Sequence, residues 1–178
     1  MRYVSRSTAI VLALLALGAS AASAQHPQTR KGFWIGFGLG YGSLSCTGCS
    51  STGGVSGYLK LGGTVSPHLL LGGETNGWTK NVNGYTLTAG NASFVAYYYP
   101  NPAGGFLLRA GVGLSTQSVS QGGSSASQSG LGATVGLGYD VRVAANTSIT
   151  PVFNFVWGHP ASGEHQSILQ FAVGVTFH

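Results

Sequence analysis

The sequence predicts an all-β protein, an eight-stranded antiparallel up-and-down transmembrane β-barrel. Three observations predict this fold: segments in which apolar and small residues alternate, connections that alternate between short and long, and a composition poor in charge. The 178 residues include 30 glycines, 11% aromatic residues and only 6% charged residues. Water-soluble domains carry roughly 25% charged residues. The composition therefore favours a chain that folds in lipid.

The first 24 residues have the pattern of a secretory signal peptide. Arg2 and Arg6 precede an apolar run from Ala9 to Leu17, and the small residues Ala22-Ser23-Ala24 follow it. The run is about ten residues long, against the roughly 20 that span a bilayer as a helix. We expect residues 1–24 to be a cleaved signal peptide and residues 25–178 to form one outer-membrane β-barrel domain.

The first predicted strand begins after Gly32, where the side chains alternate with a period of two. One face carries Phe33, Ile35, Phe37, Leu39 and Tyr41, and the other face carries Trp34 and glycines at 36, 38, 40 and 42. The same alternation predicts the further strands 55–65, 69–78, 85–99, 106–115, 130–143, 148–157 and 167–177. Segment 85–99 is apolar or small on both faces around Phe94, which predicts a bulge or an ambiguous register there. Pro151 lacks a backbone N–H, so it predicts a strand beginning or a bulge.

The connections fall into two alternating classes. Segments 66–68, 101–104 and 144–147 are short, whereas 44–53, 79–84, 116–129 and 158–166 are longer and polar or rich in glycine. We expect the Ser-, Gly- and Gln-rich segment 116–129 to be a flexible, solvated loop. An up-and-down transmembrane barrel has this asymmetry, with short periplasmic turns and longer outer loops. Closure is required because open sheet edges would leave backbone groups unpaired in lipid.

A soluble barrel of the lipocalin type is the alternative, with its apolar face turned inward. The non-apolar face has too many glycines and too few charges for a water-exposed exterior. Aromatic residues also gather at predicted strand ends, as they do at membrane interfaces. Those at the periplasmic ends are Phe33, Phe106, Tyr139 and Phe177, and those at the outer ends are Tyr41, Tyr85 and Trp157.

Five charged residues fall on the face predicted to line the lumen: Lys60, Glu74, Arg109, Asp140 and Arg142. Lys60 and Glu74 are equally far from Pro67 along the chain, so they could form a cross-strand ion pair. The interior of an eight-stranded barrel is just wide enough for its own side chains. We therefore expect a salt-bridged plug, with a gated ion or proton path as the alternative. Inward glycines leave room for these long side chains.

Cys46 and Cys49 are the two cysteines of the sequence, in a C-x-x-C spacing within the first long connection. In an oxidising compartment this spacing favours a local disulfide over metal or redox chemistry. We predict a Cys46–Cys49 disulfide that constrains the connection.

The last long connection contains His159, Glu164 and His165, followed by Ser167. A serine, a histidine and a carboxylate can assemble a nucleophile and its base, and His165-Gln166-Ser167 resembles the H-x-S pattern of outer-membrane lipid A deacylases. No Asp or Glu follows His165, so the pattern lacks its later acidic partner. Ordinary polar loop residues are the favoured interpretation, and metal binding by the two histidines stays open.

No dinucleotide- or phosphate-binding motif is present, because the Gly36-x-Gly38-x-Gly40 spacing belongs to strand alternation. The positive charges are spread rather than clustered, which argues against nucleic-acid binding. The sequence therefore predicts no cofactor, no metal and no nucleic-acid partner.

The signal peptide, the alternating strands and the final segment Phe171–Phe177 resemble the small outer-membrane barrel family that includes the OmpA transmembrane domain, OmpX and OmpW-like proteins. The resemblance implies a place in the bacterial outer membrane, with its lipids and, during biogenesis, the barrel assembly machinery as partners. It also implies that Phe177 serves as the C-terminal assembly signal. We expect a non-enzymatic protein with a structural role or a loop-mediated role in interaction or adhesion, whose extracellular ligand the residues do not identify. A lipid A-modifying hydrolase using Ser167 and His165, or a conduit for small apolar molecules, is the alternative.

Overall fold

The computed structural model describes residues 30–48, 50–160 and 165–178, so the predicted signal peptide lies outside the described residues. Within them the chain forms nine β-segments: β1 (Phe33–Cys46), β2 (Thr52–Ser66), β3 (Leu69–Val82), β4 (Tyr85–Tyr98), β5 (Phe106–Gln121), β6 (Ser124–Tyr139), β7 (Val141–Ala144), β8 (Thr147–Pro160) and β9 (Gln166–Phe177). No helix among these residues is long and apolar enough to cross a membrane.

The nine segments make eight barrel strands, because β6 and β7 are two parts of one strand. Gly138 lies opposite Val152 and Val141 lies opposite Ile149, so the register against β8 continues across the interruption at Asp140. Every pairing is antiparallel, β1 pairs with β9, and the β6–β8 pairing closes the sheet. The predicted eight-stranded all-β barrel is confirmed.

The alternating residues face as the periodicity predicts. In β1, Leu39 is 73% exposed whereas Trp34 is 2% exposed. The outer surface carries a continuous set of exposed apolar side chains, among them Phe37, Phe94, Val112, Leu131, Phe153 and Phe171. The buried polar residues of the strands, such as Asn76, Arg109 and Gln170, point into the lumen. This inverted arrangement suits a barrel in lipid, since the apolar surface meets hydrocarbon.

Two of the predicted long loops are instead tight hairpins, so the prediction of a flexible loop at 116–129 is wrong. β5 and β6 pair up to Gln121 and Ser124, and Gly122 and Gly123 make the turn with φ of 55° and 88°. Asn83 and Gly84 turn between β3 and β4 with φ of 51° and 80°. Two central residues with positive φ are typical of the type I′ turn, whose twist matches that of paired strands. The two-residue turns thus allow the β3–β4 and β5–β6 pairings to continue through segments whose polar composition predicted loops.

The two ends of the barrel differ less in loop length than predicted. At one end, the hairpin end, the connections are 47–51, 83–84, 122–123 and 161–165. At the other, the terminal end, where β1 begins and β9 finishes, they are 67–68, 99–105 and 145–146. The predicted strict alternation of short and long loops is therefore wrong. The two ends differ mainly in how far the paired strands extend, since β5 and β6 remain paired as far as Gln121 and Ser124 at the hairpin end.

The irregular positions also differ from prediction. Along the described residues of β4, the register to β3 and β5 shifts nowhere, so the predicted bulge is wrong. The register instead shifts around Val65 in β2 and Val143 in β7. Pro151 lies within β8 opposite Val173 of β9, four residues after the strand begins, and not at its start. On its other side Pro151 falls between the Gly138–Val152 and Val141–Ile149 pairs, where no ladder pairing is present that would need the N–H that proline lacks.

Candidate functional site

The centre of the lumen holds a buried polar group that we call the mid-barrel cluster: Glu74, Asn76, Tyr97, Arg109 and Thr134. The Glu74 carboxylate accepts hydrogen bonds from Arg109, Tyr97 and Asn76. The Arg109 guanidinium also donates to Thr134 Oγ1 at 2.9 Å and to Asn76 Oδ1 at 3.4 Å. Four neighbouring strands supply these groups, β3, β4, β5 and β6. The cluster therefore satisfies a buried ion pair with the additional hydrogen bonds that such a pair requires.

Lys60 lies beside this cluster without joining its ion pair. β2 and β3 place Lys60 directly opposite Glu74, as the sequence indicates, but Glu74 pairs with Arg109. Among the described ion pairs none joins Lys60 to Glu74, so the suggested cross-strand pair does not form. The Lys60 Nζ instead lies 5.0 Å from the Tyr97 ring centroid and 5.9 Å from that of Trp34. Contacts of this kind between an ammonium group and aromatic faces are attractive.

A second buried polar group, the terminal cluster, closes the terminal end: Arg30, Tyr99, Asp140, Thr150 and His178. Asp140 accepts hydrogen bonds from Tyr99 Oη at 2.9 Å and Thr150 Oγ1 at 2.8 Å. Arg30 pairs with Asp140 at 3.3 Å, and its guanidinium lies 3.5 Å above the Tyr99 ring. Arg30 also donates to the carbonyls of residues 102 and 104, which binds the segment before β1 to the 99–105 connection. The segment just before β1 and the residue just after β9 therefore both contribute to the terminal cluster.

Two titrating groups of the terminal cluster, Tyr99 and His178, favour their neutral forms. Burial raises the pKa of the Tyr99 phenol, and the Asp140 carboxylate adds to this rise, so Tyr99 remains a hydrogen-bond donor. Burial lowers the pKa of the His178 imidazole, although Asp140, 3.5 Å away, opposes the change.

Arg142 is also buried and donates to the carbonyl of Ala145 at 2.7 Å in the adjacent turn. Arg142 therefore stabilises the terminal end and lies apart from the mid-barrel cluster.

Amide and apolar layers fill the lumen between the mid-barrel cluster and the hairpin end. Asn154 donates to Gln170 at 2.7 Å, and Gln170 donates to Ser56 at 3.0 Å. Beyond them lies a buried apolar layer of Leu44, Trp78, Ala89, Val156 and Ile168. The Trp78 indole N–H donates to the carbonyl of Gly42 at 2.9 Å. These described side chains therefore lie in successive layers along the lumen.

Glycines on the inner face make this filling possible. A Cβ built on Gly136 would lie 2.4 Å from Asn154 Oδ1 and 3.1 Å from Arg109 Nε. A Cβ on Gly36 would lie 2.7 Å from the Lys60 Cε. All three distances are below ordinary van der Waals contact, so these glycines provide the space that the long side chains occupy.

Residues of the first and last connections meet at the hairpin end. The backbone N–H of Thr47 donates to the His165 carbonyl at 3.1 Å, and the His165 N–H donates to Thr47 Oγ1 at 3.2 Å. Cys46 is the last residue of β1, whereas Cys49 lies outside the described residues. The Cys46–Cys49 disulfide therefore stays a prediction.

The possible catalytic residues do not come together as a triad among the described residues. The His165 ring contacts His159, with 3.1 Å between their Nδ1 atoms, and no described hydrogen bond joins it to Ser167. Glu164 lies outside the described residues, and the described acidic residues, Glu74 and Asp140, are buried in the lumen. This geometry gives no support to a hydrolase built on Ser167 and His165.

Sequence comparison identifies the family of this closed, lipid-facing barrel. The family described as "Outer membrane protein beta-barrel domain" matches residues 10–177. The chain belongs to this outer membrane β-barrel family. Its place is the bacterial outer membrane, as the sequence predicts. A comparison with curated protein sequences finds no match.

Solved structures share the fold of this outer membrane β-barrel. Neisserial surface protein A (NspA) superposes with a TM-score of 0.58 at 19% identity, covering 84% of this chain and 98% of its own. Ail, the attachment invasion locus protein of Yersinia pestis, superposes with a TM-score of 0.58 at 13% identity, covering 83% and 99%. At such identities the likeness shows the fold.

Sequence reasoning missed several members of the two clusters of this outer membrane β-barrel. Arg30 precedes the first strand and His178 follows the last, so no strand periodicity assigns them to the lumen. Tyr97 and Tyr99 lie within an aromatic run where inward and outward residues look alike. With Arg30 included, the lumen holds four basic side chains against two acidic ones. Phe177 ends β9 with its ring 41% exposed, and its role as an assembly signal stays a prediction.

Proposed function

We propose that this outer membrane barrel is a non-enzymatic interaction or adhesion protein that acts through the strands projecting at its hairpin end, with a lumen that does not conduct. The observation that carries the proposal is the layered filling of the lumen. The terminal cluster, the mid-barrel cluster and the apolar layer around Trp78 succeed one another along the barrel axis. An eight-stranded barrel filled in this way has no room for an aqueous path.

The β5–β6 hairpin is the part of the projecting surface best suited to recognition. Residues Ser124–Ser129 are all exposed, and segment 116–129 contains serine, glutamine, threonine and glycine without any charged residue. Among the described residues, β6 residues 124–129 pair with β5 alone. Their exposed serine and glutamine side chains can donate hydrogen bonds to a partner and accept them from it. Ail, which shares this fold, is named as an attachment invasion locus protein, and a role in attachment agrees with such a use.

The proposal is tested by shortening this hairpin while keeping its register. Thr116 lies opposite Ser129, so residues 117–128 can be replaced by Asn-Gly, which joins two paired positions through a favourable turn. We expect the shortened barrel to reach the outer membrane and keep its heat-modifiable gel mobility. Cells that express it should adhere less to host cells or matrix proteins than cells that express the unchanged protein. The control keeps the length and the Gly122-Gly123 turn but permutes the serines and glutamines, which separates a specific surface from mere projection.

Conductance in planar bilayers tests the second half of the proposal. We expect no channel events from the purified protein, because each layer blocks the axis. Steady single-channel conductance would contradict the closed lumen, and uptake of small apolar molecules that depends on the protein would favour a conduit. Adhesion that is unchanged after removal of the hairpin would contradict its role in recognition.

A further inference from the structure

We propose that His159 and His165 at the hairpin end form a binding site for a divalent transition-metal ion, with Cu²⁺ as the preferred ion. β8 supplies His159, and His165 directly precedes β9, so two paired strands bring the rings together across the last connection. Their Nδ1 atoms are 3.1 Å apart. This inference is independent of the adhesion role proposed above.

The distance between the two nitrogens fits shared coordination. Two metal–nitrogen bonds of about 2.0–2.1 Å at angles between 90° and 109° separate their nitrogens by about 2.8–3.4 Å. The observed 3.1 Å falls inside that interval. The ring centroids are 4.5 Å apart with 28° between the ring planes, so the Nδ1 atoms lie on the near edges of the two rings.

The surroundings hold both imidazoles in place. The Trp157 ring stacks on His159 with a centroid distance of 6.2 Å and on His165 with 5.8 Å. Hydrogen bonds between Thr47 and His165 fix the backbone at the second ligand. A preorganised pair of ligands loses little freedom when the ion binds.

The donor set determines which ions fit. Among the described residues no cluster of three His, Cys, Asp or Glu side chains is present, so water would complete the coordination. Neutral imidazoles suit Cu²⁺, Ni²⁺ and Zn²⁺, and the affinity of a nitrogen site is generally highest for Cu²⁺. Ca²⁺ and Mg²⁺ prefer oxygen ligands and are not expected to compete.

Trp157 supplies a direct reporter, because a bound Cu²⁺ ion would quench its fluorescence. We would titrate CuCl₂ into the detergent-solubilised protein, without a polyhistidine tag, and record tryptophan emission together with the electron paramagnetic resonance spectrum of Cu²⁺. All variants carry His26→Ala, which removes a histidine outside the described residues. His159→Ala and His165→Ala test the two ligands, and Trp157→Phe tests the reporter. His68→Ala at the terminal end is the matched control, since its Nδ1 contacts the Tyr99 carbonyl at 2.8 Å.

We expect saturable quenching by about one equivalent of Cu²⁺ and a spectrum with nitrogen coupling. Each ligand substitution should weaken binding by at least about tenfold, because losing even a supporting group of a metal site costs 10–100-fold. His68→Ala should bind as the parent does, and Trp157→Phe should keep the nitrogen-coupled spectrum while losing most of the quenching. Equal Cu²⁺ affinity in the parent and in folded His159→Ala and His165→Ala variants would overturn the proposal, and so would a parent spectrum without nitrogen coupling.

Discussion

Lys60 and Glu74 lie directly opposite each other on β2 and β3, yet the Glu74 carboxylate pairs with Arg109 of β5. Lys60 remains among the rings of Trp34, Tyr58 and Tyr97. The two basic residues therefore have different roles, although the sequence presents both as inward cations. Arg109 compensates a buried carboxylate, whereas Lys60 packs against aromatic side chains.

The first prediction concerns this difference. Arg109→Ala would leave the buried Glu74 carboxylate without its cation, which should lower the free energy of unfolding by about 3–5 kcal/mol. Lys60→Met removes a buried cation that has no acidic partner among the described ion pairs, so it should be close to neutral or stabilising. Urea unfolding of both variants in lipid vesicles measures the contrast. A Lys60→Met loss as large as that of Arg109→Ala would contradict the assignment.

The second prediction concerns the inward glycines. Gly136→Val would force side-chain atoms against Asn154 and Arg109, and overpacking of this kind costs about 1–3 kcal/mol. Gly73→Val is the matched control, because no described heavy atom lies within 4 Å of a Cβ built there. Midpoints of thermal unfolding, read from heat-modifiable gel mobility, compare the two. Equal midpoints would mean that the space beside Gly136 is not needed.

The third prediction concerns pH. Because burial lowers the pKa of His178 below that of the unfolded chain, folding favours its neutral form. The stability that depends on neutral His178 is fully present above the unfolded pKa of about 6.5 and is lost as the pH falls through the lowered folded pKa. His178→Gln should therefore reduce the difference in unfolding free energy between pH 7.5 and pH 5. An unchanged pH dependence in that variant would show that protonation of the His178 imidazole does not lower the unfolding free energy.

The fourth prediction concerns the β3–β4 turn. Gly84 has a φ of 80°, a conformation that costs residues with a Cβ about 1–2 kcal/mol. Gly84→Ala should lower the unfolding free energy by about that amount, whereas Gly77→Ala within β3 should change it less. Chemical unfolding measures both. If the two substitutions lower the unfolding free energy equally, the positive φ of Gly84 does not explain the cost of adding a Cβ at this turn.

Strand periodicity was sufficient to predict the barrel and its two faces, and the resemblance to the small outer-membrane barrel family implied its place in the outer membrane. It was insufficient at segment 116–129, where polar residues with little strand preference resemble a loop. The Gly122-Gly123 turn and the pairing to β4 decide that segment instead. The predicted bulge in β4 failed for a related reason, since small inward residues such as Ala89 and Ser93 fit the lumen without a register shift.

The sequence by itself determined that this chain closes into a lipid-facing barrel, because alternation with a period of two and scarcity of charge leave no other way to satisfy the backbone in a membrane. Only the tertiary structure decided which charges pair, that Arg30 and His178 meet at Asp140, and that His159 meets His165. These contacts join residues from different strands or from beyond the strands. Such contacts depend on the register between strands and on the curvature of the closed sheet. The periodicity along one strand gives no information about either.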